Sequence, residues 1–301
     1  MPGNGRFWAE DVKGVTERQV TRIGANGDWS LGEPDSVAVE EPLEIRVSGE
    51  AIAITMRTPG HDQRLAIGFL FSEGIIRSVD DVGAVAHCGR PSDEGFENVI
   101  EMTPAPGLVL DIEKVQASRR GTLTTAACGV CGRRSVDDLL ALCGGVPPGP
   151  PLDLSILALA TERLREAQMN FSHTGGTHAA AALARDGELL ASYEDVGRHN
   201  AVDKVVGELV LRGQVHASPL GRPKRVVDPR TPAVLVVSGR ASFEIVQKAT
   251  VARIPIIASV SAASSLAIDL AERSQIALAA FVRGGNLNVY THPERIHGTA
   301  R

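Results

Sequence analysis

The spacing of apolar positions changes character near residue 144. Before it, the rhythm is mixed. Leu43, Ile45 and Val47 alternate with polar neighbours, and Ile52, Ile54 and Met56 do the same after Gly49-Glu50. That predicts a β-hairpin turning at the Gly-Glu pair. Asp62 to Ser72 places Leu65, Ile67-Gly68-Phe69 and Leu70 on or near one side, the mark of a helix. Short strands are expected at Val82–His87 and Asn98–Met102. Residues 1–35 hold neither period and read as an irregular polar extension. Residues 36–143 therefore predict a smaller α+β lobe.

Residues 144–151 hold four prolines and three glycines, which predicts a linker. From 152 to 301, helix-length and strand-length segments alternate. Helices are expected at Ser155–Gln168 (capped by Asp153 or Ser155), at the amphipathic run Asn200–Leu211, at Ala241–Arg253 and at Ala263–Arg273. Strand-like runs lie at His178–Ala184, Leu189–Tyr193, Ala233–Val237, Pro255–Val260, Ala277–Val282 and Asn288–Thr291. Asp186-Gly187 makes a turn. Strands separated by helices predict a layered α/β sheet, so the fold class is α/β with a second lobe of that kind. His216 to Pro232 interrupts the pattern with Arg222, Lys224, Arg225, Arg230 and four prolines, a solvated insert or a docking patch for an acidic partner.

Composition narrows the class. With 301 residues, 43% hydrophobic and 22% charged, the chain is ordinary for a globular protein. A net charge of −5 gives no footprint for nucleic acid. No apolar run approaches the roughly 18 residues of a membrane helix. Residues 1–30 contain no signal-like apolar run, and four cysteines do not make a disulfide scaffold. A reducing cytoplasm is the expected compartment.

The chemistry starts at Cys128-Gly129-Val130-Cys131. Small residues precede the pair, and Arg133 and Arg134 follow it, at the start of a helix-like stretch from Val136 to Leu142. Cations and a helix start favour thiolate, the form that attacks sulfur or binds metal. Sulfur transfer, disulfide exchange and zinc binding are all open. Zinc has Cys143, His173 or His178 to complete a ligand set but no second CxxC. A zinc deaminase would need H-x-E before P-C-x-x-C. Here the upstream candidates read His61-Asp62-Gln63 and His87-Cys88-Gly89, and Ala127 stands in place of Pro. No resident metal is expected.

Four polar, Gly-rich segments fall at strand ends: Ser172–His178, Glu194–Asn200, Ser238–Ser242 and Phe281–Asn286. Ligands in open α/β sheets bind at the carboxyl ends of strands, where such turns offer N–H groups to phosphate. Arg198, Arg240 and Arg283 would add charge-assisted bonds. Asp195 could accept from a purine or pterin amine, and Thr177, His178 and His199 complete the candidate contacts. None of the segments is a Walker or Rossmann fingerprint.

Taken in order, several stretches resemble the FdhD family, the sulfurtransferases that serve formate dehydrogenase. They are TAACGVCG at 125–132, TGGTHAA at 174–180, EDVGRHNAVDK at 194–204, Ser238-Gly239-Arg240, Ala258-Ser259-Val260-Ser261-Ala262 and Asn288-Val289-Tyr290-Thr291. The resemblance runs over residues 36–297. It implies a sulfur carrier that accepts sulfur from a cysteine desulfurase as a cysteine persulfide. The sulfur passes to the molybdenum (or tungsten) bis(guanine dinucleotide) cofactor of apo formate dehydrogenase, with that cofactor a bound client and no permanent cofactor of its own. It implies persulfide on Cys128, Cys131 as the partner thiol, and a cofactor stretch at Phe281, Val282, Arg283, Gly284, Gly285 and Asn286. It also implies a homodimer and a second lobe similar to the cytidine deaminase fold without its zinc machinery. The competing readings are a cofactor-holding chaperone and a thiol–disulfide oxidoreductase.

Overall fold

The structure, a computed structural model, describes residues 14–90, 95–110, 144–217 and 230–298. Cys128, Cys131, Cys143, residues 1–13 and most of the basic insert, including Arg222, Lys224 and Arg225, lie outside the described residues.

The first sheet has the order β4-β3-β6-β5, from β3 (Glu41–Val47), β4 (Glu50–Arg57), β5 (Val82–His87) and β6 (Val99–Pro104). β3 and β4 form the expected hairpin around Gly49, whose φ is +85°. A register shift between Ile45 and Arg46 alters which face of β4 is covered. Ile52 is buried as expected, but beyond it Ala53, Thr55 and Arg57 are buried while Ile54 is half-buried and Met56 is 45% exposed, so the expected alternation holds only at Ile52. Arg57 is accommodated because Asp62 takes its Nε at 3.1 Å and its Nη2 at 3.2 Å, with Glu97 O at 3.0 Å from Nη2. Helix α1 (Asp62–Ser72) lies as expected.

A further hairpin precedes this sheet. β1 (Val15–Ile23) and β2 (Trp29–Ala38) pair antiparallel, where the sequence reading had an irregular extension. The cause of the miss is plain in Thr16, Arg18, Val20 and Arg22. The strand is mostly solvated, with its ladder made by backbone groups rather than by an apolar face.

The larger sheet has six strands in the order β13-β12-β11-β10-β8-β9. These are β8 (His178–Leu183), β9 (Leu189–Asp195), β10 (Val234–Val237), β11 (Ile256–Ser259), β12 (Ala277–Arg283) and β13 (Asn286–Thr291). β10, β11 and β12 run parallel; β8, β9 and β13 are antiparallel to their neighbours. Period-two alternation gives each face its own core. Ala179, Ala181, Val234, Val236 and Ala258 pack with Leu157, Ala160 and Leu164 of α2 (Leu154–Glu166), whose N-cap Asp153 accepts from Ser155 N at 2.8 Å. Ala180, Leu235, Val237, Ile257 and Leu278 face the other way, into the core shared by α4 (Arg198–Leu211), α5 (Phe243–Val251) and α6 (Ser265–Arg273). A short α3 (Met169–Thr174), ended by Gly175 at φ +65°, sits in the first polar segment.

α4 departs from the amphipathic expectation, being buried from Asn200 to Val210. One side packs on the sheet and the other on α1. The crossing is close because two glycines meet it: a Cβ on Gly68 would lie 1.8 Å from Asp203 O, and one on Gly207 would lie 1.9 Å from Arg64 O. The polar residues of α4 are thereby forced inside and answered there. Asp203 accepts from Lys248 Nζ at 2.7 and 2.9 Å and from Ser72 Oγ at 3.1 Å. Glu208 pairs with Arg64 at 2.5 Å and Arg212 at 2.6 Å. Burial raises the Glu208 carboxyl, and the two guanidiniums overcome it to hold the pKa below the usual range.

Residues 144–151 have no regular structure, yet they are packed. Val146 is buried, its N–H bonds Ser274 O at 2.9 Å, and Arg295 Nη2 donates to Val146 O at 2.7 Å. β7 (Leu152–Asp153) and β14 (Ile296–His297) then pair in parallel.

Candidate functional site

Sheet register brings the four polar segments to one edge. Val237, the last residue of β10, faces Ala180, and Ser238 N donates to Ala179 O at 3.0 Å. The start of β8 (Thr177-His178), the end of β9 (Asp195, opposite His178) and the turn after β10 therefore lie together. β11 and β12 run parallel to β10, so Val260-Ser261 and the Arg283–Asn286 turn fall at the same end. Serines clasp these turns. Ser238 Oγ accepts from Ala179 N at 2.9 Å, and Ser259 Oγ reaches Gly239 O at 2.8 Å and Ser261 N at 3.2 Å.

Within this edge the candidates separate into two groups. Asp195 is fully buried and spends its carboxylate on the protein. Lys204 Nζ lies 2.8 Å from Oδ2 and Thr58 N donates to the same oxygen at 3.2 Å; Gly197 N at 2.8 Å and Asn200 Nδ2 at 3.0 Å donate to Oδ1. It anchors the loop and has no capacity for a purine or pterin amine, which corrects the sequence expectation. Lys204 Nζ completes its donors on Thr58 O at 3.0 Å and Glu194 O at 3.1 Å. Asn200 Nδ2 also reaches Met56 O at 2.8 Å. Asp195, Asn200 and Lys204 of the EDVGRHNAVDK run thus tie the larger sheet to the end of β4 and to Thr58.

Thr177 is 5% exposed and donates to Glu194 Oε1 at 2.8 Å. Glu194, absent from the candidate set, also accepts from Asn170 N and Phe171 N, both at 2.8 Å, and so holds α3 in place. Val282 is fully buried in the core beneath α2, so its side chain cannot touch a ligand.

The second group faces the edge. His178 is half-buried beside Gly239, where a Cβ would lie 3.4 Å from its Nδ1 and 3.6 Å from Cβ and Cδ of Arg198. Burial and then the Arg198 charge push the His178 pKa down, which keeps the ring neutral near pH 7. Arg198 opens α4, and its Nε is buried without a hydrogen-bond partner. A buried donor without an acceptor is costly and invites one. His199 Nε2 lies 3.2 Å from Ser242 Oγ and 3.7 Å from Glu244 Oε2. Arg240 is exposed on its turn. Neither α4 nor α5, whose first turns border this edge, has a side-chain cap, and the positive end of each helix lies there.

The Phe281–Asn286 stretch forms the β12–β13 connection. Phe281 is 42% exposed at φ +55° and its N–H bonds Ser261 O at 3.2 Å. Arg283 is exposed, with Nε on Val260 O at 3.1 Å, so the guanidinium is steered toward the edge. Gly284 and Gly285 have φ of +52° and +82°, and a Cβ on either would meet nothing within 4 Å. The glycines serve the turn and leave the backbone open to approach. Among the described residues, no three His, Cys, Asp or Glu side chains gather as a metal site. No helix there is long and apolar enough to cross a membrane.

A model of the FdhD/NarQ family matches residues 38–297. A protein of Anaeromyxobacter dehalogenans named sulfur carrier protein FdhD is 51% identical over 282 residues, 94% of this chain and 93% of that one. One of the same name from Mycobacterium tuberculosis is 44% identical over 289 residues, 94% and 98% of the two chains. The fold matches a crystal structure described as a putative formate dehydrogenase accessory protein from Desulfotalea psychrophila. The TM-score is 0.67 at 24% identity, covering 94% of this chain and 99% of that one.

Proposed function

The chain belongs to the FdhD/NarQ family, and on that premise we propose that it is a persulfide sulfur carrier for the molybdenum bis(guanine dinucleotide) cofactor of formate dehydrogenase. Extended likeness to proteins named sulfur carriers supports sulfur transfer in general. The observation that carries the specific reading is the polar edge. It offers an acceptor-less buried guanidinium nitrogen on Arg198, exposed Arg240 and Arg283, and two uncapped helix starts, a set suited to the phosphates of a dinucleotide.

Cys128 thiolate attacks the terminal sulfur of a desulfurase persulfide. A new S–S bond forms, the desulfurase thiolate leaves, and Cys128 holds the sulfur. Arg133 and Arg134 favour the thiolate that this needs. Cys131 supports the relay. If it attacks Cys128, hydrosulfide is released and the resulting disulfide must be reopened by a thiol reductant. At the polar edge, His178 stays neutral and so adds no charge of its own, while Arg198, Arg240 and Arg283 hold phosphate. The client's metal, molybdenum or tungsten, is the substrate that would take the outer sulfur as a terminal ligand: the S–S bond breaks, the Cys128 thiolate leaves, and the two electrons that bring the sulfur to the sulfide level come from the client's metal in its reduced state. The larger sheet with helices on both faces is read as deaminase-like, without a deaminase's Glu.

The test is intact-mass analysis after incubation with a cysteine desulfurase and cysteine. A gain of about 32 Da that a reductant removes is expected. A cofactor-holding chaperone shows no gain, and a thiol–disulfide oxidoreductase instead reduces a protein disulfide using both cysteines.

A further inference from the structure

At the opposite end of the six-stranded sheet lies a cleft of about 210 Å³, walled by the Gly144–Pro151 segment and by the residues leading into β10 and β11. Arg185, from the turn after β8, Arg253, from the end of α5, and Arg295, from the turn before β14, all line it, with Gly149, Pro150 and Thr231 beside them. Among the described residues lining the cleft there is no carboxylate. In a chain of net charge −5 this is a local concentration of positive charge.

The arginines hold the wall. Arg185 Nη1 donates to Pro150 O at 2.7 Å and Pro151 O at 3.1 Å; Arg295 Nη2 donates to Val146 O at 2.7 Å and Pro147 O at 3.1 Å. Carbonyl dipoles satisfy these N–H groups but do not cancel a charge. A guanidinium has five donors in a planar fork, so each retains donors beyond the nitrogen spent on the wall. Arg295 is only 8% exposed, and burial pushes its pKa down while Glu294 pulls the other way. Glu294 is itself bound to His292 Nδ1 at 2.8 Å. A buried cation held chiefly by dipoles is stabilised by an anion placed against it.

We infer that this cleft is a binding site for a phosphoryl group, with Arg185 and Arg295 as its principal contacts. Planar forks match phosphate oxygens two at a time. The volume is below the roughly 300–1,000 Å³ of pockets that enclose whole drug-sized ligands, so it suits orthophosphate, diphosphate or the diphosphate end of a nucleotide. Both sources share one chemistry. The site lies beyond Val234, and the candidate site beyond Val237, at opposite ends of β10, so each can be altered without the other.

The experiment is calorimetric titration of the full chain with inorganic diphosphate, GDP and guanosine. Diphosphate is expected to bind, guanosine not, and Arg185→Gln to weaken diphosphate binding at least tenfold. Arg253→Gly is the second variant. Arg253 sits at φ +57°, a conformation that glycine adopts without strain, so the fold is kept while a lining guanidinium is removed. Melting temperatures near the parent's verify folding. Arg283→Ala, at the far edge, removes a phosphate contact of the proposed cofactor site: diphosphate binding that survives in Arg283→Ala and is lost when Arg185→Gln is added belongs to the cleft, and diphosphate binding that Arg283→Ala alone abolishes belongs to the far edge and overturns the assignment. Equal affinities for diphosphate and GDP, both lowered by Arg185→Gln, assign the cleft to inorganic phosphates; tighter GDP binding lowered by the same variant assigns it to nucleotides. No diphosphate binding at millimolar concentration, or an affinity that neither cleft variant changes, overturns the assignment.

Discussion

Replacing Lys204 by Met tests whether Asp195 and Lys204 are an internal anchor or part of a ligand site. Lys204 Nζ uses its three protons on Asp195 Oδ2 at 2.8 Å, Thr58 O at 3.0 Å and Glu194 O at 3.1 Å, and both side chains are almost wholly buried. Met preserves most of the volume and removes the charge. It leaves a buried carboxylate and two carbonyls without their donor. Breaking a buried pair from one side costs about 3–5 kcal/mol. Thr58 N, Gly197 N and Asn200 Nδ2 still donate to Asp195, which places the expected loss near the lower end, about 3 kcal/mol. Asp195→Asn with Lys204→Met removes both charges and is expected to recover part of that loss, a coupling that a double-mutant cycle reads directly. Urea unfolding followed by circular dichroism supplies both numbers. A Lys204→Met protein within about 1 kcal/mol of the parent, with no coupling to Asp195, would refute the anchor.

Four further outcomes are expected. Gly68→Ala pushes a methyl to 1.8 Å from Asp203 O and lowers stability by about 1–3 kcal/mol despite the better helix propensity of Ala; a raised melting temperature sinks the close crossing of α1 and α4. Arg283→Ala weakens GDP binding roughly tenfold, from the loss of about 1.5–3 kcal/mol in a charge-assisted contact, and unchanged affinity by calorimetry removes Arg283 from the phosphate site. His178 has a folded pKa below its unfolded value near 6.5, so its contribution to stability is present above that pH and is lost as pH falls through the window below it. His178→Gln should flatten the acid side of a stability–pH curve, and a curve of unchanged shape contradicts the burial argument. Cys131→Ser should leave persulfide detectable on Cys128 and reduce maturation of the dehydrogenase without abolishing it; complete loss with persulfide accumulating reverses the order of the relay.

The strands and helices of the larger sheet were legible because both its faces are covered. Val234–Val237 and residues 256–258 are unbroken apolar runs, and the helices that follow them are entered at Ser242 and Ser264. The β1–β2 hairpin was hidden because a solvated ribbon has no hydrophobic period. The alternation in β4 misled because the register shift at Ile45/Arg46 is a property of the pairing, not of either strand. α4 looked amphipathic because its polar residues are real; what the sequence could not show is that α1 covers them, through contacts made 131 to 144 residues away in the chain. The same distance explains Asp195. A carboxylate at a strand end looks alike whether it awaits a ligand or Thr58, and only the fold brings Thr58 to it. Three segments of the polar edge were foreseen, since β9, β10 and β12 run the same way and their carboxyl ends converge by topology alone, whereas Thr177-His178 arrives there at the amino end of antiparallel β8.

The central claim is that Cys128 carries sulfur. Parent protein and Cys128→Ser, each incubated with a cysteine desulfurase and cysteine and then measured by intact mass, test it most directly. The account predicts a gain of about 32 Da on the parent that a reductant removes, no gain on the variant, and the same melting temperature for both. An equal gain on Cys128→Ser, or none on the parent, contradicts it.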